Sequence, residues 1–121
     1  FSIDINFIER VIHHEIFHII QSNHNTKLLD KKWLEQNADN FTYQKCLNCN
    51  LNYSTDMLYE KKGFLTEYSK YSLSEDQAEV FSFWMSNAHI INSLAESDNI
   101  LRNKITILKK FLYKINFYSN D

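Results

Sequence analysis

The sequence predicts a mainly α-helical fold, and two observations carry that expectation. Proline is absent and glycine occurs once, at Gly63, a composition that disfavours a sandwich or barrel built from tight turns. Apolar residues also recur at helical spacing in three long stretches. At 121 residues, with 44% hydrophobic and 15% aromatic side chains, the chain is long enough for one domain with a substantial core.

The first helix is expected from about Asp4 to Gln21. Ile8, Val11, Ile12, Ile19 and Ile20 recur along it, and Phe7 and Phe17 extend the apolar surface around it. A helix apolar on most sides is an internal one. It ends in "QSNHN", whose Ser and Asn side chains compete with the backbone for hydrogen bonds. "TKLLDKKWLEQN" reads as a short second helix with Leu28, Leu29 and Trp33 inward. Residues 38–53 are rich in Asn without periodicity and read as an irregular excursion anchored by Phe41 and Tyr43.

Ser72 and Ser74 are both suitable N-caps for the next helix, and Ser72 with Glu75 fits a capping box. That helix carries Ala78, Phe81, Met85, Ala88 and Ile91 on one side, with Trp84 beside them. A last helix, from about Asp98 to Phe117, places Leu101, Ile105, Leu108, Leu112 and Ile115 inward. Its opposite face, with Arg102, Lys109, Lys110 and Lys114, reads as solvated surface.

Several function classes fall away. Thirteen Lys and Arg against fifteen Asp and Glu leave a formal charge of -2, so no basic excess exists to neutralise a phosphate backbone and nucleic acid is not the expected partner. A single glycine excludes a glycine-rich phosphate cradle. No apolar run approaches the roughly 20 residues that span a bilayer. The chain opens inside a helix without an initiating Met and reads as a piece of something longer. Cys46 and Cys49 supply half of a four-thiolate site with no second pair, so they read as a loop pair whose oxidation state stays open.

The chemistry concentrates in "RVIHHEIFHII". His14-Glu15-Ile16-Phe17-His18 is an HExxH pattern. Histidines at i and i+4 project from one helix face, one turn apart, so both imidazoles can reach a single Zn²⁺ at about 2.0–2.1 Å. Glu15 flanks that face, where it can act as general base toward a water the ion polarises. His13 points about 100° away from His14 and reads as a supporting or surface residue, as do His24 and His89. A catalytic zinc usually has three protein ligands, so a third must come from another element. "SLSEDQAEVF" offers Glu75 and Glu79, one turn apart on a helix. One can ligate while the other accepts a hydrogen bond from a ligand imidazole. Acidic residues also favour a first helical turn through the macrodipole alone, but the upstream HExxH outweighs that reading.

HEIFH followed by a helix with E-x-x-x-E resembles the gluzincin arrangement. "LTEYSKYSLSEDQAEVFSFWM" is similar to the catalytic domain of anthrax lethal factor and its relatives, which include the Pro-Pro endopeptidases. The resemblance implies His14, His18 and Glu75 as zinc ligands, Glu15 as base, Tyr68 as the phenol that stabilises the oxyanion, and Glu79 as partner of a ligand. Tyr71 is the alternative phenol. It further implies residues 1–121 as one zincin-like domain, an α+β core whose sheet is not evident in this chain, with the HExxH helix packed against C-terminal helices. The resemblance covers roughly the HExxH helix and residues 64–117; the segment between them, with Trp33 and the cysteines, departs from the pattern, which leaves substrate selection open. The expected function is a zinc endopeptidase acting on a peptide or protein, in a secreted or extracellular setting like the best-known members. The alternatives are a non-catalytic zinc-stabilised helical module and a helical interaction domain without metal. Activity is expected to fall below about pH 6, since ligand histidines must be neutral.

Overall fold

The computed structural model describes residues 5–44 and 62–117. Among these there are five α-helices and no β-strand: α1 (Ile5–Asn23), α2 (Lys27–Leu34), α3 (Leu73–Ser86), α4 (Ala88–Ala95) and α5 (Asn99–Lys114). A single 3₁₀ turn, Tyr68–Lys70, precedes α3. The mainly helical expectation holds, and Cys46 and Cys49 lie outside the described residues. No helix among them is long and apolar enough to cross a membrane.

The central helix is α3. Every residue from Asp76 to Phe83 is buried, because α1, α4, α5 and the 3₁₀ turn all pack on it. Phe17 of α1 meets Phe81 of α3 at 4.9 Å between ring centroids and Phe111 of α5 at 6.3 Å. Phe17, Phe81 and Trp33 are fully buried, each such side chain contributing about 1.5–3 kcal/mol or more by removal from water. The expectation of an internal α1 does not hold: Ile12 is 52% and Ile19 61% exposed. α1 packs on α3 through His14, Phe17 and Ile20, which are buried, and leaves Ile12 and Ile19 toward solvent. In α2, Leu29 and Trp33 are buried as expected, whereas Leu28 is 53% exposed.

The helix expected to run unbroken through Ile91 divides at Asn87. Its N–H bonds to Phe83 O at 2.7 Å and closes α3, while its own carbonyl accepts from Ile90 and Ile91 and opens α4. The backbone there, φ −140° and ψ 50°, is not helical. Apolar spacing carries across the break, which is why periodicity alone joins the two. Met85 and Ala88, at the bend, are not buried.

Lys104 lies on the buried side of α5 and is fully enclosed. Its Nζ donates to Asp76 Oδ2 at 2.9 Å and to Gly63 O at 2.8 Å, and stands 4.0 Å from the Phe64 ring centroid. Asp76 Oδ2 also accepts from Trp33 Nε1 at 2.9 Å and Tyr43 OH at 2.7 Å. Burial pushes Asp76 up and Lys104 down from their usual ranges, and the ion pair opposes both. Gly63, with φ +89°, hands its N–H to Asp98 Oδ2 at 2.8 Å. A Cβ there would stand 2.5 Å from Ile100 Cγ2, so this chain's one glycine is required. The network ties α2, α3, α5 and the segment before the 3₁₀ turn to the residue next to Glu75.

Candidate metal centre

Two helices build the site. His14, Glu15 and His18 follow one another along α1, and Glu75 and Glu79 stand one turn apart at the start of α3. Ser72 caps α3: its Oγ accepts from the Glu75 N–H at 3.1 Å. The Glu75 side chain turns to the imidazoles of α1.

His14 is 8% exposed. Its Nδ1 faces Glu79 Oε2 at 2.9 Å, and the other Glu79 oxygen accepts from Thr66 Oγ1 at 2.7 Å. Thr66 in turn is held by Ser69 in the 3₁₀ turn, the two hydroxyl oxygens being 3.1 Å apart. His14 Nε2 lies 3.2 Å from Glu75 Oε2 and 3.1 Å from His18 Nε2. His18 Nε2 also pairs with Glu75 Oε1, and its Nδ1 faces Gln21 Oε1 at 2.7 Å. One ligand atom from each of His14, His18 and Glu75 lies within 4.8 Å of the others, the one such trio among the described residues.

This donor set fits a zinc ion. Tetrahedral ligands at about 2.0–2.1 Å from zinc stand roughly 3.3 Å apart; His14 Nε2 lies 3.2 Å from Glu75 Oε2 and 3.1 Å from His18 Nε2, while His18 Nε2 and Glu75 Oε1 stand nearer, at 2.5 Å, and would open around an ion. Glu79, which only accepts, puts the His14 proton on Nδ1 and leaves a neutral His14 with a bare Nε2 lone pair turned to His18 Nε2; with its own proton on Nδ1, toward Gln21 Oε1, a neutral His18 returns a second lone pair. Two lone pairs facing each other beside a carboxylate repel unless a cation or proton stands between them. In the metal-free chain protons do so. Burial lowers the His14 pKa, but the Glu75 and Glu79 hydrogen bonds and charges outweigh it and push it up to about 9. The Glu75 hydrogen bond likewise raises His18, against its burial. Burial raises Glu75, yet bonds to the two imidazoles hold it down at about 2.

Beside this trio is a cleft of about 160 Å³ lined by Phe7, Arg10, Val11, His14, Glu15, Tyr68 and Glu79. Glu15 is exposed. The Tyr68 ring sits 5.8 Å from the His14 ring and stacks on Tyr71 at 6.1 Å, between centroids. Burial, then the Glu75 and Glu79 charges, push Tyr68 up to about 12. Tyr71 lies toward a different hollow, with Gln21 and Ser72.

The chain matches, over residues 2–118, the model of a family described as "Putative zinc-binding metallo-peptidase". The chain belongs to this family. No curated protein and no solved structure matches it. For a member of a zinc-binding metallopeptidase family, a trio of two imidazoles and a carboxylate is the expected kind of donor set.

All six residues singled out from sequence, His14, Glu15, His18, Tyr68, Glu75 and Glu79, come together in one region. His13 stands apart, edge-on to Phe81 at 6.2 Å, and His24 and His89 are exposed. Sequence reasoning passed over Gln21, Ser74 and Thr66. Gln21 follows His18 by three positions and so shares its helix face, a readable signal. Thr66 has none, because its place depends on the fold of the turn before α3.

Proposed function

We propose that this chain is a zinc-dependent endopeptidase of the gluzincin kind, akin to the lethal factor and Pro-Pro endopeptidase group. In this reading His14, His18 and Glu75 hold the ion, Glu15 is the general base, Tyr68 donates to the oxyanion, and Glu79 orients His14. One observation carries it: two imidazole Nε2 atoms and one Glu75 oxygen converge beside a cleft that Glu15 and Tyr68 also line.

A bound zinc would supply Lewis acidity, polarising a peptide carbonyl and bringing the pKa of water toward about 7. The protein's own groups do the rest. Glu15, exposed at the cleft, takes one proton of the attacking water on a carboxylate oxygen as the C–O bond forms. It then returns that proton to the amide nitrogen as the C–N bond breaks. The Tyr68 phenol lines the same cleft and can donate to the carbonyl oxygen as it becomes negative. Glu79 keeps the His14 proton on Nδ1 and so keeps Nε2 available. Phe7 and Val11 give the cleft an apolar wall for a substrate side chain. The substrate class is a peptide or protein, and the setting that the resemblance implies is extracellular.

A purely structural zinc site is closed, with four protein ligands. Among the described residues three converge here, next to an exposed carboxylate, which favours catalysis over a zinc-stabilised module. The test is Glu15→Gln, assayed for zinc content and for cleavage of an unbiased peptide library. The expected result is full zinc retention with cleavage lower by about 10²–10⁴-fold. A zinc-loaded variant that cleaves like wild type would remove Glu15 from the mechanism. A zinc-loaded wild type that cleaves nothing would favour the non-catalytic module.

A further inference from the structure

The two imidazoles of the centre are held differently. His14 has a carboxylate, Glu79, directly on its Nδ1. His18 has a neutral amide there, Gln21 Oε1, at 2.7 Å. An amide does not by itself dictate a tautomer, since it can present either its oxygen or its NH₂ group. Something else must fix which end of Gln21 faces His18.

The chain of bonds behind Gln21 answers this. Gln21 Nε2 donates to Ser74 O at 3.1 Å and to Gln77 Oε1 at 2.9 Å. Gln77, 1% exposed, donates its own Nε2 to Asp30 Oδ1 at 2.8 Å. The remaining Asp30 oxygen accepts from Thr26 Oγ1 at 2.9 Å. A carboxylate only accepts, so Gln77 must turn its NH₂ to Asp30 and its oxygen to Gln21. Gln21 must then turn its NH₂ to Gln77 and its oxygen to His18, where Ser74 Oγ also donates to that oxygen at 2.9 Å. His18 can only donate to it. Reversing both amides would set Gln77 Oε1 against the Asp30 carboxylate and Gln21 Oε1 against the Ser74 carbonyl. One orientation satisfies every amide group, and by accepting the proton of His18 Nδ1 it leaves Nε2 of the neutral ring for a metal.

We infer that Asp30, acting through Gln77 and Gln21, is a positioning residue of the metal centre that holds His18 in the tautomer able to ligate through Nε2. This gives α2 a part in the site: it presents Asp30, from the stretch for which no motif accounts. The inference rests on the proposed ligand role of His18, and the experiment separates the two.

Zinc affinity of the full chain is measured by chelator competition for wild type, His18→Ala, Asp30→Asn, and the double variant Asp30→Asn with Gln77→Glu. Asp30→Asn replaces a group that can only accept by one that can also turn its NH₂ to Gln77, which frees both glutamines to reverse; it should weaken zinc binding by about 10–100-fold, as for disturbance of an outer hydrogen-bond partner. The double variant should recover most of that loss, because the carboxylate introduced at position 77 accepts directly from Gln21 and restores its orientation. A general folding defect would not be repaired by moving the charge one link along. Wild-type affinity in Asp30→Asn, alongside lost affinity in His18→Ala, overturns the relay and leaves the ligand assignment standing. Undiminished zinc binding in His18→Ala overturns the assignment and the relay with it. Should the variants not fold, long-range ¹H–¹⁵N correlation of the zinc-loaded wild type decides. The proton of His18 is expected on Nδ1, and a proton on Nε2 refutes the proposal.

Discussion

Metal-free protein should lose stability as pH rises from 6.5 to 9, and zinc should cancel the loss. The His14 pKa stands at about 9 in the folded, metal-free chain against 6.5 as its ordinary value. A group raised by folding contributes stability that is complete below the unfolded pKa and is lost as pH climbs through the folded one. The difference is worth roughly 3 kcal/mol at about 1.4 kcal/mol per pH unit, as an upper figure for a side chain this buried. The lowered pKa of Glu75 is the same interaction seen from its partner, so it is not added. Its own limb lies elsewhere: that stability is present above 4.5 and is lost as pH falls through about 2. At 121 residues, between the smaller and larger domains for which each kcal/mol moves Tm by about 4–8 °C and about 2–4 °C, the figure is about 3–6 °C, so the alkaline limb amounts to roughly 10–20 °C. Zinc affinity runs the opposite way over the same interval, because the ligands bind it only when unprotonated. Thermal melts with chelator and with excess zinc, at steps between pH 6.5 and 9, should therefore diverge steadily. A chelated protein whose Tm stays flat or rises across that range would mean that no proton is held between His14 and its two carboxylates.

Three further outcomes follow from the same geometry. Tyr68→Phe should keep zinc while kcat falls by about 10²–10³-fold, as for loss of one oxyanion donor; unchanged turnover of a cleaved peptide would exclude the phenol. Glu79→Gln should weaken zinc binding by about 10–100-fold in chelator competition, whereas Glu75→Ala should abolish retention, and the opposite ranking would exchange their roles. Lys104→Met strands a buried carboxylate and should destabilise the metal-free chain by about 3–5 kcal/mol in denaturant unfolding; because Asp76 adjoins Glu75, it should also weaken zinc binding in chelator competition, and unchanged affinity would detach the network from the centre.

Local spacing made most of the centre legible. His14 and His18 share a face because a helix repeats every 3.6 residues, and Glu75 and Glu79 do so for the same reason. That the two pairs meet depended on tertiary packing, and only a family resemblance suggested it from the residues. Periodicity also shows which side chains are apolar without showing what covers them, so α1 read as internal although Ile12 and Ile19 are largely exposed. Lys104 was readable in principle. It falls in register with Leu101, Ile105 and Leu108 on the buried stripe, a position that a lysine takes only with a partner. That partner, Asp76, lies 28 residues away and outside any pattern. Asp30 and Gln77 were illegible for a stronger reason: glutamine carries no ligand signature, and the bond joining the two spans 47 residues.

The first turn of α3 shows why the centre can be rigid in so small a chain. Glu75 and Asp76 are adjacent, and about 100° of helical rotation sends them to opposite environments. Glu75 meets the imidazoles, while Asp76 enters the core, where Lys104, Trp33 and Tyr43 all donate to its Oδ2. Ser72 fixes the turn between them through the Glu75 N–H. A metal ligand must be held within a few tenths of an ångström, and a carboxylate on a loop would owe that precision to nothing but the ion. Here the buried network sets the position of Glu75 before any ion arrives, so binding has less conformational freedom to remove. The buried ion pair, of doubtful worth as a stabilising device in itself, therefore has its clearest physical use as the anchor for its neighbour.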